Sequence, residues 1–317
     1  MAQRIAWILS NGLVGMDNQS LGLAEALDLH CIIKQVVPAA PWKYLPPSLW
    51  CAPLRFLGVG SDAFTPPWPE VVIGTGRLNV AVAIAIKQAS GNKSLNIRIQ
   101  HPRVNLRQFD FIVAPAHDHC HADNVIATLG AVNRVTQASL TQAVGHFETQ
   151  FAALPRPLIG VLLGGSNARY VLDAAFAQRL ADKLIIALAT SGGSVLITPS
   201  RRTDPVVIAV LRERLAAYPA TIWDGSGDNP YFAYLALADY LVVTADSVNM
   251  ASEACFTGKP VYVEGLTDGK GKFEDFHRNL QQRGCTRPFT GELAYWQYTP
   301  LDETHRAASL IKQSLGW

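Results

Sequence analysis

Charge is scarce in this chain. Asp, Glu, Lys and Arg together make up 16% of the 317 residues, and 27 basic against 25 acidic side chains leave a net charge of +2. So balanced a composition offers no electrostatic footprint for a nucleic-acid partner. Cysteine is sparse too: Cys31, Cys51, Cys120, Cys255 and Cys285 are odd in number, scattered, and form no C-x-x-C pair. That pattern points to reduced thiols in an intracellular protein rather than a disulfide framework. Long apolar runs are missing as well. The longest, over 80–86 and 184–189, fall far short of the roughly 20 residues of a membrane span. The opening MAQRIAWILSNG reads as a first strand and lacks the apolar stretch of a signal peptide. A soluble, cytoplasmic protein is the expectation.

Apolar residues are plentiful, at 49%, and the length suits two domains of about 150 residues each. Apolar β-branched runs alternate with helical patterns, the signature of parallel sheets covered by helices. Strands are expected over 5–9, 31–36, 71–73, 95–99 and 111–114, and helices over 20–28, 79–89 and 137–151. Leu154-Pro155-Arg156-Pro157 breaks the chain and is the expected linker. The rhythm restarts with strands over 158–163, 194–198, 221–223, 240–243 and 261–263. Helices are expected over 172–189, 205–217, 230–236, 248–256 and 273–283. Residues 38–70 depart from the rhythm, holding eight of the 19 prolines together with Trp42, Trp50 and Trp68. Two readings of that excursion stand. Its aromatics pack over one end of the first sheet, or they form an acceptor, lipid or partner surface.

Ligands of open α/β sheets bind outside the carboxyl ends of the strands, so the residues that follow each strand are a functional census. The most telling stretch is LVVTADSVNMASEACFTGKPVYV, residues 241–263, a strand, polar turn, helix and second strand. Ser247 suits the helix N-cap, and Gly258 with Pro260 suits its stop. Backbone N–H groups at such a start hold an anion, with Asp246 and Ser247 at its mouth. Glu253 follows six residues later, about 9 Å along the axis, a reach that suits the ribose of a nucleotide. Gly164-Gly165-Ser166 lets backbone approach a phosphate closely, and Arg201-Arg202 offers forked donors for a diphosphate. Against each stands a plain reading: an ordinary βαβ unit, a loop, a solvated turn.

Gly74-Thr75-Gly76 fails the dinucleotide fingerprint, because Asn79 stands where the third glycine belongs. No Tyr is followed four residues later by Lys, so an NAD-dependent sugar epimerase is disfavoured. In His117-Asp118-His119-Cys120-His121, alternating histidines on a loop do not readily face one ion, and no metal is expected. His117 beside Asp118 suits a general base or a sugar contact, with a structural loop as the alternative. Asp17 is the other candidate base; its alternative is that Asp17 or Asn18 caps a helix starting near Ser20.

These residues fall into a familiar pattern. Asn229-Pro230-Tyr231, Leu237-Ala238-Asp239, Val243 to Ser247, Ser252-Glu253-Ala254 and Thr257 to Val261 resemble the mitochondrial-fission Elm family. Asp17-Asn18-Gln19, Pro115 with His117-Asp118, Gly164-Gly165, Ser200 to Thr203, Phe276-His277 and Arg287-Pro288-Phe289 continue the match over most of the chain. Asn133 and Ala122 depart from it, where His and Gly are expected. The resemblance implies an α/β fold of two Rossmann-like domains facing across a cleft, as in GT-B glycosyltransferases. Residues 1–154 would form the acceptor side and 155–300 the nucleotide-sugar side, with a C-terminal helix in 301–317 returning to the N-terminal domain. It further implies a UDP-type donor on Gly164, Gly165, Ser166, Arg201, Arg202, Asp246, Ser247 and Glu253, and an unidentified acceptor near Asp17, His117 and Asp118. No resident cofactor or metal is implied. The alternative it implies is a non-catalytic fission-type factor, peripheral to a membrane or bound to protein partners through residues 38–70.

Overall fold

A computed structural model describes residues 3–266 and 271–317. Contacts group the chain into two compact units, Met1–Arg134 with Asp302–Trp317, and Val135–Leu301. Each is a parallel six-stranded sheet covered by helices, the α/β class expected.

The first unit runs β1 (Ile5–Ser10), α1 (Val14–Ala26), β2 (His30–Gln35), β3 (Val71–Thr75), α2 (Val80–Ala89), β4 (Leu95–Ile99), β5 (Phe111–Pro115) and β6 (Val125–Thr128). The second runs α3 (Gln137–Phe151), β7 (Leu158–Leu163), α4 (Ala174–Ser191), β8 (Ser194–Pro199), α5 (Pro205–Arg214), β9 (Ala220–Ile222), α6 (Tyr231–Leu237), β10 (Tyr240–Thr244), α7 (Val248–Phe256), β11 (Val261–Glu264), α8 (Lys272–Gln282) and β12 (Thr286–Pro288). Helix α9 (Glu303–Leu315) closes the chain and belongs to the first unit. The sheet orders are β2-β1-β3-β4-β5-β6 and β12-β11-β10-β7-β8-β9.

Every residue of β3 and of β7 is buried, because helices cover both faces of these central strands; hence their unbroken apolar sequences. In β1 alternate side chains serve different cores. Ala6 and Ile8 meet Leu23 of α1 and Ala307 and Ile311 of α9, whereas Trp7 and Leu9 meet Val82 and Ile86 of α2. Helix α9 is pinned by Thr304, whose Oγ1 accepts from Asn133 N at 2.8 Å and donates to Asn133 O at 2.9 Å. Lys312 adds an ion pair to Asp28 at 2.6 Å.

Four departures from the sequence reading have local physical causes. Strands β6 and β12 were not anticipated; each is a short outer edge strand, too brief for a periodic signal. Helix α1 begins at Val14, ahead of the expected residue 20, with Leu13 at its N-cap. Asp17 therefore lies inside the helix and does not cap it. Helix α3 groups with the second unit, one helix earlier than the division after residue 154. Its Phe151 ring meets Tyr234 of α6 at 5.5 Å, and Thr136 caps it. Residues 154–157 are built into that unit as well, since Ser194 Oγ donates to Pro155 O and Arg156 pairs with Asp239. Finally, the excursion before β3 is mixed. Trp50 and Phe64 are core residues and Trp68 packs against Trp7, but Tyr44, Leu49, Phe56 and Val59 are exposed.

Candidate functional site

The second unit gathers most of the expected ligand-binding residues. Strands β8, β7 and β10 are adjacent, so the turns that follow them, bearing Arg201-Arg202, Gly164-Gly165-Ser166 and Asp246-Ser247, share one edge. Asp246 ties them together. Its side chain is fully buried and accepts from Gly165 N at 2.9 Å, Thr244 Oγ1 at 2.6 Å and Arg202 Nη2 at 3.1 Å. Gly164 N donates to Thr244 Oγ1 at 2.8 Å, and Arg202 Nη1 to Gly165 O at 3.2 Å.

The glycines have a packing reason of their own. A Cβ on Gly164 would lie 2.2 Å from both Asp246 oxygens, and one on Gly165 would lie 2.2 Å from Arg202 O. Amides of Gly164 and Gly165, the Asp246 carboxylate and the Arg202 fork are thus committed to shaping the turn. Ser166 Oγ closes its own loop, accepting from Leu172 N at 2.9 Å. Arg201, by contrast, is exposed, and the first turn of α7 is half-buried. Ser247 caps that helix as expected, accepting from Met250 N at 3.3 Å.

Glu253 sits one and a half turns into α7 and is buried, with Tyr231 Oη donating to its Oε2. Burial pushes its carboxyl up to about 7, against a smaller opposing effect of the Tyr231 hydrogen bond. Burial and the neighbouring Glu253 raise the Tyr231 phenol well above its ordinary value. Near neutral pH Tyr231 therefore keeps its proton, and the Glu253 carboxyl is the member of the pair that titrates.

Beside this edge a cavity of about 410 Å³ is lined by Arg169, Arg179, Lys183, Glu264, Phe176 and Phe289, among others. Its charges are largely paired. Lys183 Nζ reaches both Glu264 oxygens, at 2.9 and 2.7 Å, and Arg169 Nε donates to Glu274 Oε1 at 2.7 Å. His277 Nε2 lies 2.8 Å from Ala245 O, fastening the turn between β10 and α7, and burial lowers its pKa. The sequence offered His277 only through the family pattern; a lone His on a helix carries no local sign of such a role.

In the first unit the candidate bases are spread out. Asp17 accepts from Ser10 Oγ at 2.8 Å, at the end of β1. His117, buried, and Asp118 lie in the turn after β5. Strands β3 and β4 intervene, which separates the ends of β1 and β5 by about 14 Å at the usual strand spacing. Asp17 and His117 thus occupy different places on that edge. Between them lies a cluster not anticipated from the sequence. The Asn79 amide donates to Leu9 O at 2.7 Å and Thr75 O at 2.9 Å, and its Oδ1 accepts from Arg98 Nη1 at 2.6 Å. Arg98 is buried, also donates to Gly76 O, and has its pKa lowered to about 9 by desolvation. An Arg and an Asn alternating with the apolar residues of the LNIRI strand were the available signal. Among the described residues, no group of three or more His, Cys, Asp or Glu comes together as a metal site, and no helix is long and apolar enough to cross a membrane.

The profile of the family described as Mitochondrial fission ELM1 matches residues 14–315. The mitochondrial fission protein ELM1 of Arabidopsis thaliana is 38% identical, over 78% of this chain; the match spans 65% of that relative's own length. Among solved structures, the UDP-GlcNAc 2-epimerase of Methanocaldococcus jannaschii aligns over 98% of this chain and 99% of its own, at 11% identity and a TM-score of 0.54. Os79 of O. sativa, solved in complex with UDP, aligns over 98% of this chain and 91% of its own, at 10% identity and a TM-score of 0.55. These likenesses establish the GT-B-like fold. The missing dinucleotide fingerprint speaks against an NAD-dependent epimerase only, since the Methanocaldococcus jannaschii epimerase has a similar fold.

Proposed function

The chain belongs to the mitochondrial fission ELM1 family, and from that membership and the edge of its second unit we propose a GT-B-like binder of UDP-type nucleotide sugars, with glycosyl transfer as its chemistry. The observation that carries this is the meeting of the turns bearing Gly164-Gly165-Ser166, Arg201-Arg202 and Ser247 around the anchored Asp246 carboxylate. Of the structural neighbours, one is named for UDP-GlcNAc and another was solved with UDP, which supports the same class.

In this reading the start of α7, Ser247 and the outward Arg201 meet the diphosphate. Gly164, Gly165, Ser166, Arg202 and Asp246 hold the turns in place. Glu253 addresses the ribose through its remaining oxygen. Leaving-group charge is absorbed by the helix start and Arg201 without a metal. On the acceptor side, Asp17 or His117, with Asp118 beside it, takes the acceptor proton.

Calorimetric titration with UDP, GDP and ADP sugars tests the proposal. UDP sugars should bind, and Arg201→Ala should weaken them about 10–100-fold, the worth of a charge-assisted contact. Heat from none of them would discard it. One observation favours the alternative of a non-catalytic fission-type factor: Tyr231 already occupies a Glu253 oxygen. That reading expects a silent titration.

A further inference from the structure

The excursion between β2 and β3 is unusual in charge as well as in shape. No Asp or Glu stands between Asp28 and Asp62, whereas Lys34, Lys43 and Arg55 do. The carboxylate of Asp62 is occupied, accepting from Gln35 N at 2.7 Å. Within this acid-free stretch the backbone folds on itself. Gly58 N donates to Val37 O at 2.6 Å, Pro38 bridges Leu57, and the Trp42 and Phe56 rings lie 5.6 Å apart. Arg77, just beyond β3, clamps the lobe by donating to Leu45 O at 2.9 Å and Lys43 O at 2.6 Å. Trp50 and Phe64 root it in the core.

The outer surface that results is apolar and cationic. Val59, at a Gly-Val-Gly tip, is 102% exposed and Tyr44 73%, with Leu49, Phe56 and Val37 also exposed. Lys43 and Arg55 are exposed among them, Lys43 Nζ lying 4.9 Å from the Tyr44 ring centroid. A rigidly anchored loop that presents aliphatic and aromatic side chains beside cations, with no acid nearby in sequence, has the chemistry of an interfacial membrane contact. Apolar tips enter the headgroup boundary while the cations meet anionic lipid.

We propose that the lobe of residues 37–60 docks on an anionic lipid bilayer. This is independent of the nucleotide-sugar reading, since it uses none of that site's residues. The test is flotation of the full chain with phosphatidylcholine vesicles and with vesicles of equal parts phosphatidylcholine and phosphatidylglycerol. Wild type should float with the anionic vesicles and progressively less as salt is raised. Lys43→Gln with Arg55→Gln should lower the partition about 25-fold, about fivefold for each cation at an anionic surface. Tyr44→Ser with Val59→Asp should abolish flotation while the melting temperature stays that of wild type, because neither side chain is in the core. Wild type remaining with the unbound fraction, equal flotation with both vesicle types, or variants that float like wild type would overturn the proposal. A protein-docking role for this face predicts empty vesicles and belongs to that overturning set.

Discussion

Gly164→Ala is the sharpest probe of how the candidate site is built. The new Cβ would sit 2.2 Å from both oxygens of Asp246, so the carboxylate must move by more than 1 Å to reach an ordinary contact of about 3.4 Å. It is not free to do so, being held by Gly165 N, Thr244 Oγ1 and Arg202 Nη2 at 2.9, 2.6 and 3.1 Å. A hydrogen bond to a charged group contributes about 1.5–3 kcal/mol, so losing two costs at least about 3 kcal/mol. For a unit of this size that is a fall of about 6–12 °C in melting midpoint. Differential scanning calorimetry of the full chain reads it directly. A double-mutant cycle isolates the clash. Asp246→Ala removes the obstacle along with the three bonds, so adding Gly164→Ala to that background should cost less than about 1 kcal/mol. If Gly164→Ala melts like wild type, or if the two costs simply add, then Asp246 is not what demands a glycine here. The Gly-Gly bend would then need another explanation, such as approach to a phosphate.

Because the folded-state pKa of Glu253 is raised to about 7 from 4.5, the native state keeps a proton that the unfolded chain releases. Stability should therefore decline as pH rises from about 4.5 to about 7, by about 3 kcal/mol in all. Glu253→Gln should flatten that decline in urea titrations run across the window; an unchanged pH profile would mean that the carboxyl titrates normally. Trp50→Ala should cost about 3–5 kcal/mol by emptying a core position, and removes the bond that Trp50 Nε1 donates to Leu45 O at 3.3 Å, leaving that carbonyl to Arg77. A near wild-type urea midpoint for that variant would place Trp50 on the surface, contrary to its burial.

The sequence by itself determined whatever rests on contacts a few residues apart. The turn from β10 into α7 was legible because the cap is local: Ser247 Oγ accepts from Met250 N three residues on. The central strands were legible because burial on both faces forces continuous apolar runs, and α3 and α7 emerged with the bounds expected of them. Tertiary structure alone decided where long-range partners compete for the same polar group. Asp246 read as a ligand contact, yet its partners Gly165 and Arg202 lie 81 and 44 residues away and turn it into the anchor of the bend. Glu253 read as open to a ribose, and Tyr231, 22 residues earlier, takes one of its oxygens. Three tryptophans in one proline-rich stretch look alike in sequence, but the fold buries Trp50, leaves Trp42 and Trp68 half-buried against that core, and exposes Tyr44, Phe56 and Val59. The edge strands β6 and β12 depend on the neighbour they pair with, β5 and β11, as much as on their own three or four residues. Local propensity propagates through the backbone within a turn or two. Which distant groups neutralise, cap or exclude one another is fixed only when the strands are set side by side.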